Sequence, residues 1–204
     1  QIFGKTGRTF TLNASDLSAN IYKLLPGGGT PTALSSGNWV STSKGGGSPI
    51  DSKGKIINNL LSQTITLWFN VRTSTGLGGF VLPRSFTTAK FNCSTNSINY
   101  DDKKFFSVPS ALTNRTVNDL LDLANKALGN NLSGGDPSLN DIYTTIDLIN
   151  NAFDQGRAVI SSSNVVNSTI SKSTDSNMMF LTAAIPTVVL ETISAYPNPF
   201  NGSV

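Results

Sequence analysis

Acid–base, nucleophilic and metal chemistry need groups that hold a proton, an electron pair or a cation near neutral pH, and this sequence is poor in them. It has no His and a single Glu, Glu191. Without His there is no Ser-His-Asp or Cys-His nucleophile and no imidazole-bound metal. The other carboxylates of interest fall into three groups. Asp119 and Asp122 stand at i and i+3, with Lys126 four residues beyond Asp122. Such a pair could divide acid and base roles; the plainer reading is a solvated helix face with a weak ion pair. Asp101-Asp102 and the Asp136/Asn140/Asp141 cluster could offer oxygen ligands to Ca²⁺. Neither has the alternating spacing of an EF-type loop, and turns and caps account for them.

The glycine-rich stretches do no better as phosphate sites. Gly54-Lys55 lacks the upstream Gly and the following hydroxyl, and no loop or strand precedes Gly4-Lys5-Thr6. Gly76-Leu77-Gly78-Gly79 reads as a plain turn. Among the aromatics, Trp68 and Tyr143 fall in helical stripes and belong to the core. Trp39, in a Ser/Gly-rich stretch, is the candidate ligand-binding residue, as a sugar platform. The competing reading is that it anchors its loop. Cys93 is the single cysteine, so no intrachain disulfide can form, and its expected role is that of a small buried hydrophobe. No metal and no cofactor is expected.

The composition points to location more than to a reaction. In a chain of 204 residues, 13% are charged and 70 are Ser, Thr or Asn. A surface of hydroxyls and amides has little long-range repulsion and tolerates close packing against copies of itself. The net charge of +3 is too mild and scattered for a nucleic-acid footprint. No stretch reaches the roughly 18 apolar residues that would span a bilayer. A chain opening on Gln1, with no signal peptide, reads as a processed product or a fragment.

The elements that would position these residues follow from periodicity. Phe10 and Leu12 alternate with Thr, predicting a strand near 8–13. Leu17, Ile21, Leu24 and Leu25 share one face of a helix ended by Pro26 and three glycines. Residues 30–50 read as a long loop anchored by Trp39 and Val40. A helix capped by Asp51 or Ser52 is predicted over 54–69, and a short strand over 79–82. Residues 87–107 look irregular. Thr116-Val-Asn-Asp119 and Ser138-Leu-Asn-Asp141 match helix-capping signatures, opening helices over 117–128 and from 138 through at least Gly156. The two should pack as a pair through Leu120, Leu121, Ala124, Ile142, Ile146 and Phe153. Beyond Ser161 the sequence turns β-rich. Thr187–Ile193 is the best strand candidate, and Val188, Val189, Leu190 and Ile193 are the candidate self-association residues.

The tail carries a resemblance. Tyr196-Pro197-Asn198-Pro199-Phe200 closely resembles the opening of the type A C-terminal sorting domain of the type IX secretion system, where such a segment begins an immunoglobulin-like sandwich. The remainder of that sandwich is not in this sequence. Lys23–Leu34, Thr66–Val71, Asp119–Gly129 and the stretch from Leu139 to Asp154 resemble a module that precedes such sorting domains in large surface proteins of Bacteroidota and related phyla. The module carries no assigned catalytic residues. What the resemblance implies is a secretion-signal role for Tyr196–Phe200, engagement with the type IX machinery, and display at the outer cell surface or release from it.

The expected fold class is α+β: a small helical cluster with short strands over 1–160, followed by an extended β-rich C-terminal tail over 161–204. The expected function is a non-enzymatic extracellular structural or adhesive subunit able to self-assemble into homo-oligomers or filaments. Expected partners are copies of itself, the secretion machinery and surface glycans, with no nucleic acid and no membrane span. The alternative is a carbohydrate-binding accessory module of a larger secreted enzyme.

Overall fold

A computed structural model of the chain describes residues 1–17, 21–74 and 76–163. The fold is mixed α+β, with two three-stranded sheets flanking a cluster of helices. The first sheet joins β1 (Ile2–Lys5), β2 (Arg8–Thr11) and β3 (Gly37–Val40), in that order. β1 and β2 form an antiparallel hairpin, and β3 lies parallel to β2 with Trp39 beside Phe10. Residues 30–50 are therefore not all loop, because the Asn38-Trp39-Val40 segment supplies a third strand. Ile21, Leu24 and Leu25 are buried, with Ile21 and Leu24 on the short α1 (Ile21–Leu24), whereas Leu17 of the predicted stripe is 41% exposed.

The central helix α2 spans Asn59–Thr73, starting five residues later than the sequence pattern suggested. Asp51 does not cap it. The Asp51 carboxylate closes a turn by accepting from the backbone N–H groups of Lys53 (2.9 Å) and Lys55 (2.8 Å), while Ile50 and Ile56 bridge across it. The cap is Asn58, which accepts from Leu61 N–H at 3.2 Å and donates to Thr32 O at 2.9 Å. The β-branched stretch at 64–66 remains helical, with the Thr64 and Thr66 hydroxyls donating to carbonyls one turn back. Leu60, Leu61, Ile65 and Leu67 are fully buried.

α3 (Val117–Leu128) and α4 (Leu139–Ala152) form where the capping signatures placed them. Thr116 and Asp119 make a reciprocal capping box, and the Ser138 hydroxyl accepts from Asp141 N–H at 3.0 Å. The two helices pack on each other and on α2. Leu120, Ala124, Ile142 and Ile146 are fully buried, Leu121 and Phe153 nearly so. α4 ends at Ala152 because a tight turn, Asp154–Gly156 with Gln155 at φ 55°, redirects the chain. Where α3 meets the first sheet, a Cβ on Gly129 would lie 2.7 Å from the Lys5 backbone nitrogen, so that close approach admits only glycine.

The second sheet has the order β5-β4-β6, from β4 (Ser85–Asn92), β5 (Ser97–Ser107) and β6 (Arg157–Ser163), all antiparallel neighbours. Here the structure departs most from the sequence pattern, which predicts no regular element over 87–107. The hairpin shows little alternation because β5 buries almost nothing on either face. Phe86 fixes the sheet to the helices: it stacks on Phe106 at 5.3 Å and Phe153 at 6.4 Å, and meets Phe80 edge-on at 5.5 Å. The predicted strand at 79–82 is instead a short 3₁₀ turn, Leu77–Gly79, followed by one bridge from Val81 to Thr116. β6 runs through Ser163 and so straddles the expected domain boundary at 160/161. The rest of the tail, 164–204, lies outside the described residues, as do the candidate strand at 187–193 and the sorting motif.

Candidate functional site

Of the acidic groups singled out in the sequence, Asp102, Asp119, Asp136 and Asp141 serve as local structural ties. Asp119 accepts from Thr116 N–H at 2.8 Å, and that bond holds its carboxyl below the usual aspartate range. Asp136 accepts from Ser133 N–H and Oγ, both at 3.0 Å, which likewise lowers its pKa. Lys126 does not pair with Asp122; its ammonium reaches Asp136 at 3.3 Å. Asp141 is committed to Ser138. Each of the Asp119, Asp136 and Asp141 carboxylates is bound by a hydroxyl or backbone N–H of its own cap or turn. Among the described residues no cluster of three or more His, Cys, Asp or Glu side chains could hold a metal ion.

Asp102 belongs to a constellation that sequence reasoning missed. Between Ala89 and Lys90 of β4 the pairing with β5 jumps from Lys103 to Asn99, so residues 100–102 bulge out of the ladder. Arg157, 1% exposed at the start of β6, fills the gap. Its Nη2 donates to Thr88 O at 3.0 Å and Asp102 O at 2.7 Å, Nη1 to Asp102 Oδ1 at 2.9 Å, and Nε to Thr88 Oγ1 at 3.0 Å. The guanidinium thus replaces ladder bonds that the bulge breaks, and its planar fork suits that role better than an ammonium would. Lys90 adds a second contact to Asp102 at 3.3 Å. The Arg157 hydrogen bond, followed by that from Lys90, keeps the Asp102 carboxyl below its ordinary pKa. The available sequence signal was one Arg placed between a turn glycine and an uncharged β-branched run.

Trp39 is partly buried against the core, and its indole N–H donates to Ser35 O at 3.1 Å. Its ring lies over Gly37 and near Gly47, which is the geometry of a loop anchor. Cys93 is not a core hydrophobe. It is exposed, in the turn between β4 and β5, where Asn92 Oδ1 accepts from Ser94 N–H at 3.0 Å. Tyr143 and Trp68 pack partly buried against the core.

The second sheet exposes aromatic side chains. Phe105 is 69% exposed and lies in register with Thr87, which is in register with Ser161, so the three share the outward face. Tyr100 on the bulge is exposed, with Lys103 Nζ 5.5 Å from its ring centroid. Compared with known proteins, the chain matches no family model, no curated protein and no solved structure.

The two outer strands of this sheet differ in a way that bears on association. β5 carries Asp101, Asp102, Lys103 and Lys104 together with the bulge, and both devices discourage edge pairing. Past its buried Arg157, β6 is the uncharged run Ala-Val-Ile-Ser-Ser-Ser, and among the described residues it is paired on one side only, with β4. No helix among the described residues is long and apolar enough to cross a membrane.

Proposed function

We propose that this chain is a non-enzymatic extracellular structural or adhesive subunit, exported by a type IX-like secretion system and able to self-assemble. The observation that carries the reading is the uncharged edge of β6, set beside an exposed aromatic face and a surface rich in hydroxyls and amides. An uncharged edge that is paired on one side only among the described residues is a template for strand addition. The chain supplies a matching segment in Thr187–Ile193, whose Val188, Val189, Leu190 and Ile193 have strand alternation. Addition from one copy to the next is head-to-tail and builds open polymers when the rotation does not close. The resemblance of Tyr196–Phe200 to a sorting-domain opening supports export and surface display.

Electron microscopy and sedimentation of the full chain test this. Filaments or discrete assemblies are expected, and they should be lost in the Leu190→Lys variant and on deletion of 187–204, with the helical circular dichroism retained. Assembly that survives both changes overturns the tail's part in it, and a strictly monomeric full chain overturns self-assembly.

A further inference from the structure

We propose that a lysine-rimmed cleft beside the first sheet binds an acidic saccharide, one carrying carboxylate or sulfate groups; this rests on the adhesive reading above and gives it a ligand class. The cleft has a volume of about 400 Å³ and is lined by Lys23 and Leu24 of α1, by Ser41, Thr42 and Lys44 after β3, and by Gly54. That is the lower range of ligand pockets, with room for about one or two sugar rings.

Charge singles it out. The first 55 residues carry six basic and two acidic side chains and the other 149 carry nine and ten, and four of those six, Lys23, Lys44, Lys53 and Lys55, lie in or next to the segments that line the cleft. Lys53 and Lys55 flank Gly54 of the lining, bringing four lysines to one neighbourhood. The two carboxylates nearby are engaged with the protein itself. Asp51 accepts from the Lys53 and Lys55 backbone N–H groups. Asp16, 3% exposed, accepts from Asn13 N–H and from the Ser41 hydroxyl. Because Ser41 gives its proton to Asp16, its oxygen is left as an acceptor. The lining therefore offers ammonium donors for an anionic group, a polarised hydroxyl oxygen and the Thr42 hydroxyl for sugar O–H groups, and the edge of Leu24 for a C–H face. Among the described residues the lining holds no aromatic side chain on which a nucleobase could stack, which favours a saccharide over a nucleic acid.

The test is affinity electrophoresis of the full chain in gels containing polygalacturonate, heparin or neutral dextran, at about 0.1 M salt where screening is moderate. Retardation by polygalacturonate, by heparin or by both is expected, which also separates carboxylate from sulfate recognition, with none by dextran. Lys23→Gln and Lys44→Gln together should weaken it about tenfold or more, while Lys104→Gln on β5 should leave it unchanged. The inference is overturned if neither acidic polymer retards the chain, or if Lys104→Gln weakens binding as much as the cleft changes do. It is also overturned if a thymidine oligonucleotide binds as tightly with the same lysine dependence, since that is general polyanion binding. Microscopy of the same samples keeps the two proposals apart: assemblies that form without saccharide binding sink only this one, and binding by a monomer sinks only self-assembly.

Discussion

The α3–α4 pair and the β4–β5 hairpin are each two consecutive elements joined by one connection, and they are opposite in construction. The helix pair buries Leu120, Ala124, Ile142, Ile146 and Ile149 completely. The hairpin's longer strand buries no residue, and its hold on the molecule runs through Phe86 of β4, the partly buried Phe106, and Arg157 brought in from β6. Apolar burial holds the first region, and a buried polar plug with one aromatic cluster registers the second. A region built the second way is free to spend its surface on partners, since few of its side chains are needed inside.

Ile146→Ala and Phe105→Ala put this contrast to its hardest test. Truncating Ile146, which is 0% exposed, should lower unfolding stability by about 2–5 kcal/mol in denaturant titrations. Truncating Phe105, on the outward face, should change it by less than about 0.5 kcal/mol. Similar losses at both sites would erase the distinction.

Arg157→Leu comes next. It leaves the Thr88 carbonyl and hydroxyl buried without their donor, at a loss of about 1–3 kcal/mol. Hydrogen exchange should rise across β4, β5 and β6 while α3 and α4 keep their protection. Uniformly raised exchange would mean that the sheet and the helices are one cooperative unit.

The smallest effect is acid sensitivity. Asp51, Asp102, Asp119 and Asp136 all have folded-state pKa values below the ordinary 3.8. Their contribution is present above about pH 3.8 and is lost as the pH falls through the lowered folded values. Asp147 acts in the opposite sense: burial raises its pKa, so its ionised form weakens the fold at neutral pH and acid relieves that. Four groups against one should give a urea midpoint that falls below about pH 3. A midpoint unchanged at acid pH would show that these carboxylates bond equally well in the unfolded chain.

The same contrast explains what could be read from residues alone. α3 was legible because its cap, apolar stripe and stop signal all lie within Thr116–Gly129 and agree with one another. The start of α2 was misplaced because Asp51, Ser52 and Asn58 are all credible caps, and the choice depends on Thr32, far off in sequence. The hairpin was missed because β5, with no buried residue, shows no apolar alternation, and on β4 the buried positions after Phe86 are the polar Thr88 and the small Ala89. Cys93 was expected inside on composition and lies in an exposed turn. The Arg157 plug joins residues 69 positions apart, a pairing that no local pattern encodes. The cleft is likewise assembled from three separated segments, although the concentration of lysines in the first 55 residues was visible in the sequence.

The Arg157 plug also fixes the order in which the molecule can be finished. β4 and β5 are neighbours in the chain and can meet early, but the gap at residues 100–102 stays open until a strand made after two further helices swings back beside β4. The last described strand is then a latch, and the sheet from which β6 would offer its edge is complete only once that latch has closed.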